Sequence, residues 1–212
     1  MFKKKKIFLC LMLLLCMLST ACSSKKDNNE VNSNAQSSTS DNANVELVAT
    51  NHVEIDVKDY GVIKVELYGD IAPITVNNFV KLCNDGFYDG LTFHRIISGF
   101  MIQGGDPKGD GTGGSEEKIT GEFANNGIDN PINHTRGVIS MARSMANDSA
   151  SSQFFIMHED SPHLDGSYAA FGKVTDGMEI VDKICEDTKV EDSNGTVAKE
   201  NQPVINTIKV ID

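Results

Sequence analysis

From Val53 onward, apolar and polar residues alternate. Val53, Ile55 and Val57 share one face, and after a turn at Asp59-Tyr60-Gly61 the residues Ile63, Val65 and Leu67 share one again. A period of two in two short runs joined by turn residues predicts an amphipathic β-hairpin. The period then changes. Val76, Phe79, Val80 and Cys83 recur at helical spacing, with Pro73 in the first turn and Gly86 just past the end, which predicts a helix packed over the hairpin. Short apolar runs follow at Thr92 to Ile97, Phe100 to Gln103, Val138 to Ala142, Gln153 to Met157 and Ala169 to Val174, separated by Gly-rich or polar loops. Gly177 to Asp187, with Met178, Ile180, Val181 and Ile184, reads as a second helix, and Val204 to Ile211 as a last strand. This pattern predicts a mainly β domain, closed or sandwiched, with two helices.

Ahead of residue 51 the periodicity is lost. Ser23 to Thr50 is rich in Ser, Asn and Asp and holds no Gly, Pro or aromatic residue, so it cannot bury enough surface to offset its ordering entropy. Residues 22–50 are expected to form a flexible tether with a mean reach on the order of 30 Å. Residues 1–21 read as a signal peptide: Lys3 to Lys6 form a basic start, Ile7 to Leu18 an apolar run too short to span a bilayer, and Ser19-Thr20-Ala21 the small residues before Cys22. The arrangement resembles a bacterial lipoprotein signal, although Ser19 stands where that pattern usually has a leucine. The resemblance implies cleavage before Cys22, acylation of its thiol with a fatty chain such as palmitate, and anchorage on the extracytoplasmic face of the cell membrane. Cys10 and Cys16 follow leucines and belong to the apolar run, which leaves Cys83 and Cys185 in the domain as small buried hydrophobes.

Charge narrows the partners. Loss of Lys3 to Lys6 with the leader takes the formal charge from −11 to −15, which excludes nucleic acid and repels an anionic membrane, so a lipid must do the anchoring. Gly109, Gly111 and Gly114 satisfy a G-x-G-x-x-G spacing, but no helix pattern follows and a nucleotide site is not expected. His158, Glu159 and His163 miss the zinc-protease spacing by one residue, and Pro162 would break the helix it needs; no metal and no cofactor are expected.

Two runs carry the chemistry. FHRIISGFMIQGGDP, from Phe93 to Pro107, joins an arginine, apolar residues and a glutamine in a strand-like stretch ending in glycines, and SSQFFIMHEDSPHLDG, from Ser151 to Gly166, offers a second wall for the same groove. With GTGG at Gly111, GVISMA at Gly137 and FGKV at Phe171, these runs resemble the cyclophilins, a family of prolyl isomerases, over nearly everything after His52. The resemblance implies a closed eight-stranded antiparallel β-barrel capped by two α-helices over residues 51–212, active as a peptidyl-prolyl cis-trans isomerase. It gives Arg95 and Gln103 the catalytic roles, at the prolyl nitrogen and at the carbonyl of the rotating bond. The proline ring then falls to Phe100, Met101, Phe155 and Leu164. The neighbouring chain falls to Gly111, Ala142, Arg143, Ser144 and Gln153, with Arg143 acting through its backbone.

The sequence departs from eukaryotic members at Arg143 for asparagine, Ser98 for proline, His163 for tryptophan and Tyr168 for histidine; His163 and Tyr168 are still assigned to the groove. Expected partners are proline-containing unfolded or nascent secreted polypeptides, met by a monomer. Two other classes compete: a non-catalytic, surface-displayed module that captures proline peptides, and a solute-binding lipoprotein, for which the domain is too short.

Overall fold

A computed structural model describes residues 49–212; the expected signal peptide, the Cys22 acylation site and the tether up to residue 48 lie outside the described residues. The predicted hairpin is strands β1 (Asn51–Val57) and β2 (Gly61–Leu67), paired in register from Asn51 with Leu67 to Val57 with Gly61. Its alternate residues Val53, Ile55, Val57, Ile63, Val65 and Leu67 are all buried, as the period of two requires. Six more strands follow: β3 (Phe93–Ile97), β4 (Met101–Gly104), β5 (Val138–Met141), β6 (Phe154–Met157), β7 (Ala170–Asp176) and β8 (Ile205–Val210). They form one antiparallel sheet in the order β3-β4-β6-β5-β7-β2-β1-β8.

Helices α1 (Pro73–Asn84) and α2 (Met178–Asp187) lie where the helical spacing put them. Each adds its apolar stripe to the interior, α1 through Val76, Phe79 and Leu82 and α2 through Val181 and Ile184. The Phe79 ring sits 5.1–5.5 Å from those of Tyr88, Phe154 and Phe171 and forms the centre of the core. Because the N-cap residue of α1 is Ala72, the helix has no capping side chain of its own. The buried carboxylate of Glu122 takes that role from a distant loop, accepting the N–H groups of Ile74 and Thr75 at 3.0 and 2.8 Å and the Thr75 hydroxyl at 2.7 Å.

The closed barrel expected from the sequence is corrected to an open one. Strands β3 and β8 end the sheet and share only the bridge between Thr92 and Val204, flanked by Phe93 N–H to Pro203 O at 3.0 Å and Ile205 N–H to Leu91 O at 2.8 Å. Beyond that point the outer edge of β3 is already occupied. A turn in residues 190–197 lies along it, with Ile96 N–H bonded to Gly195 O at 2.8 Å and Val197 N–H to His94 O at 3.1 Å.

Candidate active site

The site is a row of cross-strand neighbours. Arg95 on β3 pairs with Gln103 on β4, Gln103 with Phe155 on β6, and Phe155 with Ser140 on β5. Residues directly opposite in a sheet share a face, so this register sets a cation, an amide and an aromatic ring side by side. One irregularity aims the arginine. Phe93 pairs with Gly104 and Arg95 with Gln103, so His94 is an extra residue bulged out of β3. Unbulged, Arg95 would share the face of Phe93, which is fully buried in the core; the bulge turns it to the outside.

Loops then fix the guanidinium. Its Nε donates to Asn194 O at 2.9 Å, Nη2 to Asn194 Oδ1 at 3.4 Å and Nη1 to Gln103 Oε1 at 3.2 Å, with Met101 Sδ 4.0 Å from Nη1. Four partners for five N–H groups leave one for a ligand. Burial draws the Arg95 guanidinium below its usual range, and the Tyr168 phenol and the Asp192 carboxylate oppose that pull. The turn that brings Asn194 is held by Asp192, whose carboxylate accepts the N–H groups of Asn194 and Thr196 and the Thr196 hydroxyl. Gly195 sits in it at φ +80°, where a Cβ would come within 2.3 Å of Ile96 O.

Amides continue the row. Gln103 Nε2 donates to Gln153 Oε1 at 2.9 Å, and Gln153 Nε2 to Gly111 O at 3.1 Å and Gly113 O at 2.7 Å, a chain that fixes the orientation of both amides. The glycine loop is wound on Asp106, which accepts the N–H groups of Lys108, Asp110 and Gly111. A Cβ on Gly113 would meet the Asp106 carboxylate at 2.0 Å.

The apolar part is a cavity of about 150 Å³ lined by Arg95, Phe100, Met101, Gln103, Ala142, Arg143, Phe155, Leu164 and Tyr168. Phe155 is supported from behind. The His134 ring stacks on it with centroids 6.1 Å apart, and His134 Nδ1 lies 2.9 Å from Asp165 Oδ1 while Nε2 lies 3.0 Å from Ser140 Oγ. Burial lowers the His134 pKa more than Asp165 raises it, so the imidazole is neutral and the contact with Asp165 is a hydrogen bond, not an ion pair. A carboxylate only accepts, so Nδ1 carries the proton and Nε2 accepts from Ser140.

All but one of the thirteen groove residues named from the sequence line this cavity or a second, adjoining one of about 240 Å³, whose walls include Gln103, Gly111, Ala142, Arg143, Ser144 and Gln153. His163 lines neither; its ring packs on Phe100 with centroids 5.6 Å apart. Besides the backbone role expected of it, Arg143 has a structural one: its side chain is a staple. Nε and Nη2 donate to Ser167 O at 2.9 and 2.8 Å, Nη1 to Ser144 O at 2.9 Å, and the guanidinium carbon lies 4.9 Å from the centroids of both Phe123 and Tyr168. Sequence reading missed Asn194, His134, Ser140, Asp165 and Lys118. Nothing in local pattern links Asn194 to a residue 99 positions earlier.

Comparisons with known proteins identify relatives of the chain. Residues 52–210 match the family model for cyclophilin type peptidyl-prolyl cis-trans isomerase/CLD. Peptidyl-prolyl cis-trans isomerase B of Bacillus subtilis is 49% identical over 144 residues, 68% of this chain and 92% of that protein. A peptidyl-prolyl cis-trans isomerase of Helicobacter pylori is 45% identical over 148 residues, 69% of this chain and 88% of that protein. A cyclophilin type isomerase of Cryptosporidium parvum, crystallised in the presence of the dipeptide Ala-Pro, superposes with a TM-score of 0.67 at 32% identity and covers 76% of this chain and 99% of its own.

Proposed function

The chain belongs to the cyclophilin-type peptidyl-prolyl cis-trans isomerases and has their activity and their affinity for proline-containing peptides; from that premise we propose that Arg95 and Gln103 carry the reaction. Rotation about an X-Pro bond meets a barrier of about 18–20 kcal/mol because the twisted amide loses its resonance. No covalent step is needed. The catalyst must bind the twisted state more tightly than either planar one. As conjugation fails, the prolyl nitrogen regains a lone pair, and in this reading the remaining Arg95 N–H donates to it while the ring sits against Phe100, Met101, Phe155 and Leu164, which line the same cavity as Arg95. Gln103 has a second amide N–H with no partner among the described residues, suited to the carbonyl of the rotating bond. One charge-assisted hydrogen bond formed in the transition state contributes about 1.5–3 kcal/mol; positioning and the exclusion of water supply the remainder.

The observation that carries these roles is the Arg95-Gln103-Phe155 row opening on the apolar cavity. Exchange spectroscopy on a proline peptide tests them: Arg95→Ala is expected to slow interconversion by about 10- to 150-fold, and an unchanged rate would remove Arg95 from the mechanism. The leader and Cys22 further support a lipoprotein on the extracytoplasmic face of a bacterial membrane, assisting the folding of secreted or surface proteins. The mass of the mature N-terminus tests this; an unacylated chain retaining residues 1–21 overturns it.

A further inference from the structure

We propose that the groove selects X-Pro segments that carry an acidic side chain shortly before the proline, an inference that rests on the isomerase reading above. The second cavity adjoins the proline cavity and shares Gln103, Ala142 and Arg143 with it, so a chain whose proline occupies one continues into the other. Three charged residues line the pair, Arg95, Arg143 and Lys118, and all are cations. Among the described residues none of them pairs with a carboxylate within 4.0 Å. That is unexpected in a chain with 30 acidic and 19 basic residues.

The nearby acids are committed elsewhere. Asp106 is bound to the glycine loop's own N–H groups, Asp110 to the N–H and hydroxyl of Thr112, and Asp192 to the turn that carries Asn194. Glu116 and Glu117 precede Lys118 but line neither cavity. Arg95 and Arg143 are tied down by carbonyls, whereas Lys118, an exposed residue at the cavity wall, has among the described residues only the Ser151 hydroxyl as a hydrogen-bond partner, at 3.3 Å. It is the group free to meet an incoming carboxylate. The negative charge of the whole chain opposes an acidic segment at a distance, but screening limits that field to about 10 Å at 0.1 M salt, and the charged groups in direct reach of a segment in the cavities are the three cations that line them.

Peptides with Glu or Gln at each of the three positions before the proline, beside an all-Ala reference, separate the possibilities. At one position the kcat/KM of the Glu peptide is expected to exceed that of the Gln peptide by about two- to fivefold, the size of a partly exposed ion pair. The ratio falls toward one at about 1 M salt, where the screening length is about 3 Å. Lys118→Gln lowers the ratio and Lys118→Glu inverts it. A ratio of one at every position in the unaltered protein, or the same ratio in Lys118→Glu, overturns the proposal. Turnover of the all-Ala peptide reports separately on isomerisation: its absence strikes the isomerase reading, and its presence without a Glu preference strikes only the acidic selectivity.

Discussion

Two neighbouring rows of the same sheet face opposite ways and do different work. Ile96, Ile102, Ile156 and Ile139 pair across β3, β4, β6 and β5, are 0–1% exposed, and fill the interior. One position along each strand, Arg95, Gln103, Phe155 and Ser140 form the outer row. The inner row is uniform because stability needs only matched β-branched volume. The outer row is chemically mixed because each member has a different partner: a carbonyl loop, an amide chain, a cavity and a buried imidazole. A shift of a single residue in register would exchange the two, so pairing accuracy is as much a condition of activity as of folding.

Substitutions can test that division. The largest effect is expected from Ile156→Ala in the inner row: about 2–5 kcal/mol lost in urea unfolding, with the rate per folded molecule retained. Arg95→Ala is expected to do the reverse, removing about 1.5–3 kcal/mol of transition-state stabilisation in the exchange assay while changing unfolding by no more than about 1 kcal/mol. Equal damage to both properties by either variant would break the division. Ser140→Ala sharpens it, because this outer-row hydroxyl satisfies buried His134 Nε2. It should cost about 1–3 kcal/mol of stability, read by thermal unfolding.

The smallest effect is a tilt with pH. Burial lowers the pKa values of His94 and His134, so both are neutral when folded, whereas in the unfolded chain they bind protons near pH 6.5. Their contribution is complete above about pH 6.5 and is lost as pH falls below it, because the unfolded state takes up the protons first. Urea midpoints between about pH 8 and pH 5 should decline toward acid, with a shallower slope in His94→Gln.

The hairpin, both helices and every strand run were legible in the sequence, since each is written in local periodicity. The two features that make the site were not. The bulge at His94 depends on how β3 meets β4, and FHRII reads as an ordinary strand without that partner. The support of Arg95 by Asn194, and of Phe155 by His134 and Asp165, joins residues far apart in sequence whose own neighbourhoods read as turns. The open sheet was hidden for a related reason: the strand pattern predicts a closed or sandwiched sheet and the resemblance a closed barrel, but only the competition of the 190–197 turn for the edge of β3 decides whether the last ladder forms. Arg143 adds what the resemblance did not supply: a side chain that holds two loops together, beside the backbone role expected of that position.

The strand that bears Arg95 is thus also a seam. Past Phe93 its outward hydrogen bonds go to a short turn rather than to a neighbouring strand, and a turn can lift away without dismantling the ladders behind it. Ile96 N–H, bonded to Gly195 O, and the N–H groups of β4 on the other side therefore offer two clocks for deuterium uptake: one times the fraying of the margin, the other the loss of the whole domain.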